Sequence, residues 1–129
     1  MMVLDTHVWL WWVSGDLASL TPARASLIEA CDTVAVSAMS CFEVAWLAHH
    51  GRIALPCDIE LWLEKALDGS GILLLPMTPR VVRLAVELPE HHRDPQDRVI
   101  IATALAHDAK LMSLDAKFPL YAELAGRLV

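Results

Sequence analysis

The chain has 129 residues and a mass of 14.2 kDa, and its residues are 56% hydrophobic and 20% charged. This composition excludes intrinsic disorder, and no apolar run approaches the ~18 residues that a transmembrane helix requires. The net charge of −6, without a strongly basic face, argues against tight nonspecific binding to duplex nucleic acid. We therefore expect a single cytoplasmic domain spanning residues 1–129, with no membrane association.

Predicted strands and helices alternate along the chain. Strands are predicted where short apolar or β-branched segments occur, at residues 2–4, 33–36, 72–75 and 111–114. Helices are predicted to follow residues that can cap them, at Thr21, Ser37, Asp58, Thr78 and Asp94. The third strand is apolar throughout, which favours a strand covered on both faces. Residues 118–124 are predicted to be helical, with a short strand as an alternative near the chain end. This order of elements predicts an α/β fold with a parallel sheet covered by helices.

Acidic residues recur where the predicted strands end. Asp5 follows the first strand, Glu43 lies in the helix after the second, and Asp115 follows the fourth. Asp94 and Asp97 stand at the start of the helix that precedes the fourth strand. Ligands of parallel α/β sheets bind beyond the carboxyl ends of the strands, so we expect these carboxylates to share one cleft. Two of them also have ordinary structural interpretations, Asp94 as a helix cap and Asp115 as a turn residue.

A cluster of four carboxylates is costly because like charges oppose one another's ionisation. A divalent cation removes that cost, and a ligand set made only of oxygen selects a hard ion such as Mg²⁺ or Mn²⁺. Water on such an ion can attack phosphorus in line, while the ion offsets charge on the leaving oxygen. The pattern therefore favours metal-dependent hydrolysis of phosphodiesters.

Four short motifs occur in order along essentially the whole chain. They are Leu4-Asp5-Thr6-His7, Ser37-x-x-Ser40-x-x-Glu43, His92-Arg93-Asp94-Pro95-Gln96-Asp97-Arg98 and Ser113-Leu114-Asp115, the last followed by Phe118 and Tyr121. Together they resemble the motifs of PIN-domain ribonucleases, and more narrowly those of the VapC toxins of type II toxin–antitoxin modules. The third motif is quite specific, whereas the first would be weak by itself. Two departures from the family pattern, Gln96 and Leu114, remove no acidic residue and bear on substrate preference.

The resemblance implies a three-layer α/β/α sandwich with a parallel sheet and RNA cleavage that depends on Mg²⁺ or Mn²⁺. Its catalytic and metal-binding acids would be Asp5, Glu43, Asp97 and Asp115. It also implies three partners: an RNA substrate, a small cognate antitoxin protein and a second copy of the chain in a homodimer.

Further residues are assigned supporting roles around these acids. Asp94 is an accessory acid, and the hydroxyls of Thr6 and Ser113 are expected to bind metal-bound water or phosphate. An ordinary strand-end turn explains those two hydroxyls equally well. Arg93 and Arg98 are assigned as phosphate contacts, which Arg makes in bidentate fashion. For Arg93, a solvated helix end is the stronger alternative.

Tryptophans and histidines invite competing interpretations. Trp9 and Trp12 are expected inside, whereas Trp11, Trp46 and Trp62 could form an apolar interface, where large aromatic residues are enriched. The adjacent histidine pairs at 49–50 and 91–92 do not have zinc-site spacing, and His92 is expected at the surface.

Three rival functions are open to comparison with the nuclease. A catalytically silent PIN-like interaction module is disfavoured because all four acids are present. A phospho-accepting receiver domain needs an aspartate after the third strand, where this chain has Leu75 and Pro76. A phosphatase with an Asp-x-Asp motif needs a second aspartate at position 7, which is His7.

Overall fold

The computed structural model describes all of residues 1–129 and contains one parallel sheet. Its strands are β1 Met2–Leu4, β2 Val34–Ser37, β3 Leu73–Leu75 and β4 Lys110–Met112. They are ordered β3-β2-β1-β4, and every neighbouring pair is parallel. In the register of the sheet, Val3 lies between Ala35 and Leu111. The predicted strands are thus present; β1 has the predicted bounds, and the bounds of the other three differ by one or two residues.

Seven α-helices surround the sheet. They are α1 Thr6–Ser14, α2 Leu17–Leu20, α3 Pro22–Glu29, α4 Ala38–His49, α5 Ile59–Leu67, α6 Pro79–Glu87 and α7 Pro95–Ala106. The five predicted capping residues all accept a hydrogen bond from a backbone N–H in the first turn of their helices. Helices α1 and α2 were not among those predicted from capping residues. None of the helices is both long enough and apolar enough to cross a bilayer.

Alternating side chains of the strands feed two separate cores, which makes the fold a three-layer α/β/α sandwich. Met2 and Leu4 pack on one face with Trp9 of α1 and Trp62 of α5. On the other face, Val3, Ala35 and Leu111 of the strands pack with Ile100 of α7 and with Phe118 near the chain end. The centre of the sheet, where β1 lies, is therefore dry on both sides.

The structure differs from the sequence prediction at β3 and near the chain end. Leu73 is 47% exposed and Leu74 is 45% exposed. The prediction that both faces of β3 are covered is therefore wrong. The reason is its place at the sheet edge, since α6 packs chiefly against α7. Residues 118–124 form two short 3₁₀ turns, and Leu128 makes a single parallel bridge to Leu111.

The tryptophans also divide differently from expectation. Trp62 is only 7% exposed and packs edge-on against Trp9 with ring centroids 5.2 Å apart, so it belongs to the core. Trp12 is half-buried, as is Trp11. Trp46 is exposed and stacks on His50. Of the three residues assigned to an interface, Trp46 is therefore the one that the fold leaves open to solvent.

Candidate active site

Asp5 stands at the carboxyl end of the central strand and is held there by the backbone. Its N–H donates to the carbonyl of Met112 at 3.0 Å, which extends the pairing of β1 with β4 by one residue. Its Oδ1 accepts from the Thr6 N–H at 2.8 Å and so caps α1. The residue is buried, with 9% of its surface exposed. The end of β1 thus delivers a carboxylate into the protein rather than onto its surface.

Two carboxylates of the site are supported by hydroxyl groups, and we call Asp5 and Glu43 the hydroxyl-supported pair. The Ser113 hydroxyl donates to Asp5 Oδ2 at 2.7 Å. The Thr6 hydroxyl donates to Glu43 Oε2 at 2.5 Å and lies 3.0 Å from the hydroxyl of Ser40. Thr6 and Ser40 are fully buried. These contacts connect α1, α4 and the segment after β4 around one small space.

The other two carboxylates share one imidazole, and we call Asp97 and Asp115 the histidine-bridged pair. His92 Nε2 lies 2.9 Å from Asp115 Oδ2 and 3.2 Å from Asp97 Oδ2. Asp97 is in the first turn of α7, and Asp115 follows β4. Asp115 also accepts at Oδ1 from the Lys117 N–H, at 2.8 Å. A single side chain therefore joins acids from two different elements.

His92 lies in the loop before α7 and is held there by three contacts with residues outside that loop. The His92 N–H donates to the Tyr121 hydroxyl at 2.9 Å, and its carbonyl accepts from Arg98 Nη1 at 3.2 Å. The imidazole packs edge-on against Phe118 at 5.8 Å between ring centroids. His92 is 9% exposed, which corrects the expectation that it lies at the surface. His92 is buried because contacts with distant residues, rather than the local sequence, determine the path of this loop.

Burial makes three of the acids reluctant to ionise. It raises the pKa of Asp5 and of Glu43, although hydrogen bonds from Ser113 and Thr6 act in the opposite direction. It raises the pKa of Asp97 to about 7, with repulsion from Asp5 adding to the rise and attraction to His92 opposing it. The carboxylates therefore repel one another in a poorly solvated space.

Asp115 behaves differently because it is closer to solvent. Its partial burial acts to raise the pKa of the carboxyl, but hydrogen bonds from His92 and from the Lys117 N–H outweigh burial and lower it. Asp115 is accordingly the acid of the cluster that ionises most readily.

No lysine or arginine forms an ion pair with any of these four carboxylates. The ion pairs of arginine in the chain are Arg83 with Glu87 and Arg127 with Asp108, both outside the site. His92 is thus the one group within ion-pair distance that can carry positive charge. The donor set, mostly carboxylate and hydroxyl oxygen with one imidazole nearby, suits a hard divalent cation. His92, Asp97 and Asp115 place one ligand atom each within 4.8 Å of one another.

The structure brings the four predicted acids and both predicted hydroxyls to one edge of the sheet, while Asp94 lies beside them. The Asp94 side chain accepts from the Gln96 N–H at 3.0 Å, so it caps α7. Asp94 is exposed, yet its charge contributes to the raised pKa of Asp97 and Glu43.

The two arginines predicted to bind phosphate have different surroundings. Arg98 donates to four backbone carbonyls, from Nη1 to Pro89 and His92 and from Nη2 to Val86 and Leu88. Four of its five N–H donors are thereby used, so Arg98 fixes the loop, and its contact with phosphate stays a prediction. Arg93 is exposed and makes no hydrogen bond within the chain, which leaves its predicted role open.

Sequence reasoning missed the burial of His92. Ser40 and Tyr121 were among the motif residues, but no role in the site was assigned to them. The signal for the role of Ser40 was its spacing, because Ser40 and Glu43 are three residues apart and share a helix face. For His92 the neighbouring acids of its motif were the one available signal, and they do not fix the direction of a loop side chain.

Comparisons with known proteins point in one direction. The PIN domain family pattern matches residues 2–124. The chain is 38% identical over 117 residues to ribonuclease VapC22 of Mycobacterium tuberculosis, which spans 90% of this chain and 88% of that protein. Among solved structures, VapBC2 of Rickettsia felis bound to a promoter DNA fragment has a TM-score of 0.71 at 17% identity, covering 99% of this chain and 96% of that one. A toxin–antitoxin complex from Klebsiella pneumoniae has a TM-score of 0.65 at 21% identity, covering 100% and 96%.

Proposed function

This chain belongs to the PIN-domain family of VapC-type ribonucleases, and on that premise we propose that it is a metal-dependent endoribonuclease that acts as the toxin of a type II toxin–antitoxin pair. The relative at 38% identity is a ribonuclease by name, and the similar solved structures include toxin–antitoxin complexes. We propose Mg²⁺ or Mn²⁺ as the cofactor and RNA as the substrate.

One observation carries the metal dependence: three buried or half-buried acids with raised pKa lie together without a lysine or arginine partner. A cluster built only for stability would pair such charges, because removing an ionised carboxylate from water without a partner is costly. A divalent cation is the partner that also has a use in phosphodiester hydrolysis.

We assign the side chains of the site the following roles. Asp5 and Asp97 would hold the cation, Glu43 would orient the attacking water, and Asp115 would complete the ligand set. When bound, the ion supplies an acidified water and offsets negative charge on the phosphate. Thr6 restrains the Glu43 carboxylate and the Ser113 hydroxyl restrains that of Asp5, so both acids enter the reaction already oriented.

The outer side of the site offers contacts for substrate and partner. Arg93 is exposed one residue before the Asp94 cap, where its guanidinium can reach a phosphate of a bound RNA strand. On α4, Phe42 lies next to Glu43 and is 59% exposed, and Trp46 lies about one turn beyond Glu43 and is 41% exposed. An antitoxin segment laid on these aromatic rings would cover the entrance to the acids. We also propose a homodimer, to which the exposed apolar side chains of the sheet edge would contribute.

A cleavage assay tests this function. The purified protein should cut single-stranded RNA when Mg²⁺ or Mn²⁺ is added and should stop when a chelator is in excess. Asp97→Asn should be inactive, whereas Asp32→Asn, which changes an exposed acid without hydrogen-bond partners, should cut like the wild type. Cleavage that continues unchanged in chelator would rule out the metal mechanism. Absence of cleavage under all conditions would favour the silent interaction module.

A further inference from the structure

We propose that His92 is a positioning residue of the metal site: its Nε2–H donates to Asp115 and lies within ion-pair distance of Asp97, and it thereby keeps the two carboxylates at the separation a cation requires, without His92 being a ligand. This inference rests on the proposed function, since it concerns the same cation. It assigns a role to a residue that belongs to neither the acidic set nor the substrate-binding set.

One imidazole nitrogen bridges the two carboxylates. His92 Nε2 makes a hydrogen bond of 2.9 Å to Asp115 Oδ2 and lies at an ion-pair distance of 3.2 Å from Asp97 Oδ2. The shorter contact is in the range of charge-assisted N–H···O bonds. The two carboxylates come from different elements, and no other side chain forms a hydrogen bond or ion pair with both. Without the imidazole, repulsion between the two charges would drive the side chains apart.

The His92 side chain has little freedom to move. The Tyr121 hydroxyl fixes its backbone N–H, the Arg98 guanidinium fixes its carbonyl, and Phe118 fixes the plane of its ring. Arg98 also binds the carbonyls of Val86 in α6, of Leu88 at the end of that helix and of Pro89, so it ties the loop to α6. A residue whose backbone is hydrogen-bonded on both sides and whose ring packs against Phe118 can impose an orientation on the carboxylates that the ring touches.

The partners of the two ring nitrogens of His92 indicate whether it is a hydrogen-bond donor or a metal ligand. A histidine that binds a metal through one ring nitrogen almost always donates the N–H of the other to a carboxylate, a carbonyl or water. Nδ1 of His92 has no hydrogen-bond partner within the chain, whereas Nε2 has Asp115 as its hydrogen-bond acceptor and Asp97 at ion-pair distance. The proton therefore belongs on Nε2, and a nitrogen that carries a proton cannot coordinate a cation.

Three variants of His92 separate these roles. Glutamine keeps an N–H donor near the position of Nε2, phenylalanine keeps the ring without the donor, and alanine removes both. Mn²⁺ affinity measured by calorimetry should fall about 10-fold or more for His92→Phe and His92→Ala, the size of effect seen for outer partners of metal ligands. His92→Gln should bind Mn²⁺ nearly as tightly as the wild type. His107→Gln, a histidine change at the far end of α7, is the matched control.

Pulsed electron paramagnetic resonance of the Mn²⁺-loaded wild type supplies a second readout that does not depend on how any variant folds. We expect no histidine-nitrogen coupling to the ion. A nitrogen coupling that disappears in His92→Gln would overturn the inference, because His92 would then be a ligand. Equal Mn²⁺ affinity for the wild type and for the phenylalanine and alanine variants would also overturn it. If the wild type binds no Mn²⁺ at all, the proposed function fails first, and this outcome is distinct from the other two.

Discussion

The two halves of the acid cluster are held by different chemistry. Hydroxyl groups orient the hydroxyl-supported pair, Asp5 and Glu43, while one imidazole orients the histidine-bridged pair, Asp97 and Asp115. A hydroxyl provides a dipole without a charge, and the pKa of both hydroxyl-supported acids stays raised. An imidazole can carry charge, and yet it leaves one of its two acids with a raised pKa.

The difference in pKa between Asp97 and Asp115 is explained by their solvent exposure rather than by their shared partner, His92. Asp97 and Asp115 contact the same nitrogen, but the Asp97 side chain is 15% exposed and the Asp115 side chain 29%. The pKa of the more buried acid is raised and that of the more open acid is lowered. Desolvation thus affects the pKa of these acids more than His92 does. The most buried carboxylates are therefore the ones that a cation would stabilise most.

The largest effect should come from removing one acid of either pair. Asp5→Asn and Asp97→Asn should each lower RNA cleavage by about 100-fold or more, because each takes a charged ligand from the same ion. Similar losses would indicate that both pairs serve one cation. Initial rates at saturating Mg²⁺ measure this, with Asp32→Asn as the control. Wild-type rates in either variant would remove that residue from the site.

A smaller loss is expected when the support of the hydroxyl-supported pair is removed. Thr6→Val keeps the shape of the side chain but deletes the donor to Glu43, so cleavage should fall about 10-fold. Thr6→Ser restores the donor and should recover most of the rate. Comparison of kcat for the two variants at saturating metal checks this. If valine and serine give equal rates, the hydroxyl has no part in the reaction.

The loop that carries His92 should depend on Arg98 for stability. Arg98→Met keeps the aliphatic stem but loses hydrogen bonds to four carbonyls, and we expect a loss of about 1.5–3 kcal/mol in the free energy of unfolding. Arg93→Met, at an exposed position without such bonds, should change stability by less than about 0.5 kcal/mol. Urea unfolding of both variants tests the contrast, and equal stabilities would contradict it.

The smallest effect concerns the pH dependence of the metal-free protein. The folded pKa of Asp97 is about 7, above its ordinary value of 3.8, so its protonated form favours the folded state. That stabilisation is complete below about pH 4 and is lost as pH rises through 7. Asp97→Asn should therefore melt higher than the wild type at pH 8, by roughly 5 °C, and at the same temperature near pH 4. A difference that grows toward low pH would have the wrong sign.

Much of the fold and part of the site follow from local sequence. The strand ends could be located because short apolar segments stop at Asp5 and before Asp115, and parallel strands bring their carboxyl ends to one edge. The helix starts were predictable from Thr78-Pro79 and similar pairs, since a cap and a proline act within one turn.

The remaining features depend on contacts between distant residues. His92 is buried because Tyr121, 29 residues away, accepts its N–H and because Arg98 turns back onto the loop. The exposure of β3 depends on strand order, which an apolar run such as 72–75 does not encode. The same holds for Trp62, whose burial depends on its meeting Trp9.

The central claim is that the buried acids are a cation site, and thermal unfolding across an Mn²⁺ series at pH 7.5 tests it most directly. The melting temperature of the wild type should rise steadily with the logarithm of the Mn²⁺ concentration, and stabilisation should reach about 2.7 kcal/mol at 100 times the Kd. Asp97→Asn should start higher and rise far less. A wild-type melting temperature that stays flat to millimolar Mn²⁺, or that rises equally in Asp97→Asn, would contradict the claim.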